Sequence, residues 1–158
     1  MKKIIILLII LFLVSGCSLL NCSNESIISD MGIKDTTCEI LEEKDTHGGF
    51  LGDGDYFARI KCSKIEDKLN KKWKELPISS ELKEVTEMKQ CNEKDCKNIY
   101  ERYNIPNIEN GYYYFEDRHS ESTNKYDDKD INKRSSYNFT FAILDKDTNM
   151  IYYYELDT

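Results

Sequence analysis

The sequence predicts an α+β domain: an antiparallel sheet of about five to six strands with two short helices, in a single small domain over 37–158. Three observations carry that expectation. Residues 38–62 and 137–156 each hold two stretches in which apolar and polar residues alternate around a set of turn formers, the pattern of strands joined as hairpins. Tyr112-Tyr113-Tyr114-Phe115 is an aromatic run that suits a pleated, half-buried surface. Between these lie segments with helix-start signals, giving the order β-β-α-β-α-β-β-β, with helices against one face of the sheet. No repeat of domain length occurs.

Taken in order, Cys38–Lys44 reads as the first strand. Four glycines follow in the seven positions from Gly48 to Gly54, which suits an irregular loop. In Asp55–Cys62, residues Tyr56, Ala58, Ile60 and Cys62 share one face and Phe57, Arg59 and Lys61 the other, so the pair forms a hairpin. Ser63 and Glu66 match a capping box. Ile65, Leu69, Trp73 and Leu76 follow on one stripe, which predicts a helix stopped by Pro77. Leu82–Met88 fits strand or helix, strand being preferred. Asp95 is placed to cap a second helix, Cys96–Tyr103, ended by Ile105-Pro106. The aromatic strand comes next, then a charged loop from His119 to Arg134. Tyr137–Leu144 and Met150–Leu156 close the chain around the turn Asp145 to Asn149.

The front of the chain fixes where this domain works. Lys2 and Lys3 lead into eleven unbroken apolar residues, Ile4 to Val14, then Ser15-Gly16-Cys17, the layout of an export signal. As helix, that run rises roughly 16 Å, half of a ~30 Å hydrocarbon core, too short for a lasting span. Val14-Ser15-Gly16-Cys17 resembles the lipobox of bacterial lipoproteins. That resemblance implies cleavage after Gly16, a diacylglycerol and acyl modification on Cys17, and a protein held by lipid at the outer face of the cell membrane. Residues 17–36, rich in Ser and Asn, read as a flexible tether, along which Ile27, Ile28 and Ile33 begin to dock.

Without Lys2 and Lys3, 20 basic residues face 29 acidic ones, a net charge of −9. This excludes the basic face that a nucleic-acid partner needs, and leaves the acyl chains to hold the membrane. Cys22, Cys38, Cys62, Cys91 and Cys96 are odd in number, so outside the cytosol at least one thiol is free or bonded to another molecule. Cys38 can pair with Cys62 across neighbouring strands, and Cys91 with Cys96 around a small loop, with Cys22 left over. The alternative is that all remain reduced in an anaerobe.

Two patterns match one another: Asp45-Thr46-His47 and Asp117-Arg118-His119, which hold both histidines of the chain. Residues two apart on a strand share a face, so each aspartate can orient its imidazole or join it as a ligand of a divalent metal. The set Asp45, His47, Asp117 and His119 would make a zinc site, hydrolytic if one position stays open. The alternative is four solvated loop residues. Asp145-x-Asp147-x-Asn149 and Asp128-x-Asp130-x-Asn132 begin like calcium loops. They lack the glycine at the sixth place and the glutamate at the twelfth, which excludes an EF-hand. No Gly-x-Ser-x-Gly and no phosphate-binding Gly-Lys-Ser/Thr loop occurs. Phe50, Asp53 and Asp55 of the glycine loop, with Tyr112 and Tyr114, form the candidate contact surface.

The stretch Asp45-Thr-His-Gly-Gly-Phe-Leu-Gly-Asp-Gly-Asp-Tyr-Phe-Ala, with Trp73, Leu76-Pro77 and the tail from Asn138 to Asp157, resembles small proteins of low-GC Gram-positive bacteria that have no established activity. That resemblance implies one compact domain and transfers no site residue. The leading expectation is a membrane-anchored binding module for a protein or glycan. The rivals are a metal-dependent hydrolase on the two Asp-x-His pairs and an immunity-type inhibitor that masks a basic partner.

Overall fold

The alternation in residues 38–62 and 138–157 builds the centre of the fold. The computed structural model describes residues 26–48, 52–91 and 95–158. β1 (Cys38–Asp45) and β2 (Gly54–Cys62) form an antiparallel hairpin whose register sets Cys38 opposite Cys62, with one bulge between Ile40 and Glu42. β7 (Asn138–Asp145) and β8 (Met150–Asp157) form a second hairpin around the Asp145–Asn149 turn. β6 (Gly111–Asp117) adds to β7, and the short β3 (Trp73–Glu75) adds to β6. β8 also pairs with β2, so the six-stranded sheet runs β1-β2-β8-β7-β6-β3, antiparallel throughout.

Both faces of this sheet are covered, which is why its central strands are aromatic or aliphatic at nearly every position. Phe57, Phe115, Phe139, Phe141 and Tyr154 face α1 (Ser80–Thr86), α2 (Ile99–Tyr103) and Ile131. Ile60, Ala142, Leu144, Ile151 and Tyr153 face the opposite way, toward Met31, Ile33, Ile65 and Trp73. Residues 26–33 therefore do not behave as a tether. Met31 is 0% exposed and Ile33 2%, and the Trp73 indole N–H donates to the Met31 carbonyl at 3.1 Å. Gly32 permits this docking: its φ is +71°, and a Cβ there would lie 1.7 Å from the Asn70 side-chain nitrogen.

Three local readings are corrected. The Ile65–Leu76 stripe is not a helix but a 3-10 turn (Glu66–Lys68) followed by β3. Ser63 does not cap it, because its hydroxyl meets that of Thr36 at 3.3 Å. The Asn70 carboxamide then accepts the Lys72 N–H at 2.8 Å and turns the chain toward β6. Tertiary pairing outweighs a helical period here. Leu82–Thr86 is helical, not extended, with Glu87 as the C-cap: Ser79 caps α1 by accepting the Leu82 N–H, and Leu82, Val85 and Thr86 face the core at steps of three and one. α2 begins at Ile99 rather than Cys96, and its cap is Asn98, in a reciprocal capping box with Glu101. Cys96 and Lys97 instead form β5, paired with β4 (Gln90–Cys91). Disulfides join Cys38 to Cys62 and Cys91 to Cys96. Cys17, Cys22 and Phe50 lie outside the described residues.

Candidate functional site

The chain sequence places small residues in the middle strand of a three-strand meander and large ones on either side. Register aligns Tyr114, Ala142 and Tyr153 across β6, β7 and β8, and two residues along, Glu116, Thr140 and Glu155. Positions two apart share a face, so these two rows project together. A methyl group and a threonine stand on β7 where its neighbours carry tyrosines and glutamates. The result is a hollow along β7, a cavity of about 370 Å³. Asp30, Met31, Lys72, Arg118 and Tyr126 complete its walls. A groove of about 410 Å³ on the helical side, lined by Leu76, Ile105 and Ile143 together with polar groups of α1 and α2, is more apolar.

Each flanking strand contributes a Tyr-x-Glu pair. The Tyr114 hydroxyl donates to Glu116 Oε2 at 2.6 Å, and the Tyr153 hydroxyl donates to Glu155 Oε1. Thr140 Oγ1 also donates to Glu155 Oε1, at 3.4 Å. Burial first, then the bond to the adjacent carboxylate, pushes both tyrosine pKa values far up, so each hydroxyl keeps its proton. The nearby cations are directed elsewhere. Arg118 pairs with Asp157 at 3.0 Å, and Lys72 Nζ donates to the Tyr126 hydroxyl at 2.5 Å. Only Lys125 approaches a floor carboxylate among the described residues, standing 3.9 Å from Glu116 Oε1. The floor thus offers acceptors backed by ring surfaces, a setting for holding a small donor-bearing ligand.

The two Asp-x-His pairs stand at the same end of the sheet but serve separate contacts. His47 Nδ1 lies 2.7 Å from Asp45 Oδ1, and Nε2 lies 3.1 Å from Asp157 Oδ2. The Asp45 bond raises the His47 pKa; burial opposes it, and the bond to Asp157 adds to the rise. Both ring nitrogens are therefore engaged by carboxylates. His119 Nδ1 accepts the Glu121 N–H at 3.2 Å, which leaves Nε2 carrying hydrogen toward Ser136 Oγ at 3.1 Å. Asp117 is buried; one oxygen accepts the His119 N–H at 3.0 Å and the other pairs with Arg134 at 2.9 Å. Among the described residues, no three His, Cys, Asp or Glu side chains are grouped so as to hold a metal.

The sequence-derived contact residues are spread apart. Asp53 is exposed. Asp55 turns inward, where Arg102, Tyr103 and Tyr154 bind its Oδ2. Tyr112 is half-buried with its hydroxyl 3.3 Å from Glu66, on the β3 side of the sheet. Tyr114 alone among them lines the cavity. Glu116, Thr140 and Glu155 were not singled out from the sequence. The signal that could have found them is the repeated Tyr-x-Glu at Tyr114–Glu116 and Tyr153–Glu155, with Thr140 and Ala142 on the strand between.

The fold and cavity define a small, two-sided α+β domain with a polar pocket on one sheet face. The family model that describes the lipid attachment site of prokaryotic membrane lipoproteins matches residues 1–18. The chain is a membrane-anchored lipoprotein, exported and held at the cell surface by lipid. Among the described residues, no helix is long and apolar enough to cross a membrane. No curated protein and no solved structure matches the chain.

Proposed function

We propose that this lipoprotein, lipidated on Cys17, is a binding module that holds a small polar ligand in the β6–β7–β8 cavity. The observation that carries the reading is the acceptor floor itself: two carboxylates and two tyrosine rings around a hollow left by Thr140 and Ala142. Ligand sites are concave, with a few convergent polar groups set among apolar or aromatic walls. Catalysis finds less support, since both histidines are already hydrogen-bonded at both ring nitrogens. The AT-biased composition, rich in Lys, Asn, Ile, Asp and Tyr, supports a low-GC Gram-positive source.

The test is thermal unfolding of the mature lipoprotein in nonionic detergent against a panel of amino acids, amines, sugars and nucleosides. A compound at about a hundred times its Kd adds roughly 2.7 kcal/mol and raises Tm by several degrees. Thr140→Leu grows a side chain into the hollow and should remove that rise. If no compound moves the wild-type Tm, or the stabilisers act equally on Thr140→Leu, the proposal fails.

A further inference from the structure

We infer that the ligand of this cavity carries an ammonium group, which lies between the Glu116 and Glu155 carboxylates against the Tyr114 and Tyr153 rings. The inference rests on the cavity being a binding site and adds the chemistry of what fills it.

Four features of the hollow select a cation. Among the described residues, no basic side chain lies within ion-pair distance of Glu155, and no donor reaches its Oε2; its two hydrogen bonds both fall on Oε1. Glu116 has Oε2 occupied by Tyr114, while its Oε1 faces only Lys125, at 3.9 Å, beyond hydrogen-bond reach. The floor hydroxyls have spent their hydrogens on these carboxylates, so over the floor itself an incoming group meets acceptors, while the donors of the site stand on the wall, where Arg118 Nε has no partner among the described residues. An ammonium brings three donors to those floor acceptors. The Tyr114 and Tyr153 rings, 1% and 3% exposed, back this floor as an apolar support that keeps the carboxylates in place.

Geometry fits the same chemistry. Glu116 and Glu155 stand on strands either side of β7, so their backbones are roughly 9–10 Å apart, two strand spacings. The Thr140 hydroxyl holds Glu155 Oε1 from the middle strand and the Tyr114 hydroxyl holds Glu116 Oε2 on the other side, so the two carboxylates line the cavity from strands on either side of β7. A bare divalent metal is a poorer match, because the described residues do not bring three ligating side chains together. The wall cations do not fill the gap either: Arg118 is held by Asp157 and the Phe139 carbonyl, and Lys72 by Tyr126.

The experiment is calorimetric titration of the mature lipoprotein in nonionic detergent with 1,4-diaminobutane and, separately, with 1,4-butanediol, which matches it in length without charge. The expected result is binding of the diamine, weakened at least about tenfold in Glu155→Gln, as loss of a charge-assisted hydrogen bond implies. Raising salt should weaken it as well, and the diol should give no heat of binding. Glu116→Gln repeats the test if Glu155→Gln does not fold. Equal binding of the diol with Glu155→Gln unaffected overturns the ammonium assignment; if Thr140→Leu still abolishes that binding, the cavity reading survives it. Binding of neither probe overturns the ammonium assignment as well, while the panel experiment judges the cavity on its own.

Discussion

Asp55 distinguishes a contact residue from a structural one, and the two roles give opposite results on substitution. It is the second residue of β2, at 3% exposure. Arg102 Nη1 at 3.0 Å, the Tyr103 hydroxyl at 2.8 Å and the Tyr154 hydroxyl at 3.3 Å converge on Oδ2, and the Thr46 hydroxyl on Oδ1. Asp55→Asn keeps the shape but replaces one acceptor oxygen with an NH2 that faces donors. Breaking a buried pair costs about 3–5 kcal/mol. The Arg102 side chain is 26% exposed, so water screens part of the lost attraction, and the expected loss sits at the low end, about 3 kcal/mol. That corresponds to a fall in Tm of roughly 10 °C for a domain of this length. Urea unfolding should show a lower midpoint at unchanged slope. A loss below about 1 kcal/mol would refute the buried-network account and return Asp55 to the role of a surface contact.

Two further outcomes follow from the edge contacts and the cross-links. The Asp45 carboxylate, then Asp157, raises the His47 pKa, so its contribution is complete below the unfolded value of about 6.5 and fades as pH rises through the folded value. Wild type minus His47→Gln, measured as Tm between pH 5.5 and 8.5, should therefore decline with pH, by roughly 1–2 °C for a part-exposed pair worth ~0.5 kcal/mol; a flat difference would show that the pairs do not couple to folding. Cys38–Cys62 spans 24 residues and Cys91–Cys96 spans 5. Chain entropy then assigns about 3 kcal/mol to the first and about 2 kcal/mol to the second, so urea midpoints of the two double serine variants should fall in that order, and the reverse order would contradict it.

The parts of the fold legible in the sequence were those whose signal is local. The two hairpins and the aromatic strand rest on period-two alternation bounded by turn residues, and their ends agree with the structure within two residues. What misled was an apolar spacing that two structures satisfy. Ile65, Leu69 and Trp73 make a helical stripe, yet Ile65 and Trp73 are buried from a 3-10 turn and an edge strand. Only the long-range bond from Trp73 to Met31, and the pairing of β3 with β6, decide between them. The cavity was hidden for a related reason. Tyr114–Glu116 and Tyr153–Glu155 are 39 residues apart in the chain, and become a pair only once β7 lies between their strands in the observed register.

The same register explains why the anchor and the cavity belong to one argument. Residues 26–33 were assigned to the tether on composition, but Met31 is buried against the sheet, and Asp30 and Met31 form one wall of the hollow. With Cys17 lipidated as proposed, 12 residues separate it from Asp30, a reach of at most about 45 Å when fully extended. The cavity wall nearest the anchor is thus fixed to the sheet by the Trp73 and Asn70 contacts to the Met31 carbonyl. The Tyr114 hydroxyl, which donates to Glu116, also stands 3.3 Å from the Asp30 carbonyl, so that wall lies beside the Glu116 side of the floor. A ligand held as proposed between Glu116 and Glu155 would also touch Asp30 and Met31 in the cavity wall, so occupancy and the stability of that junction should rise together.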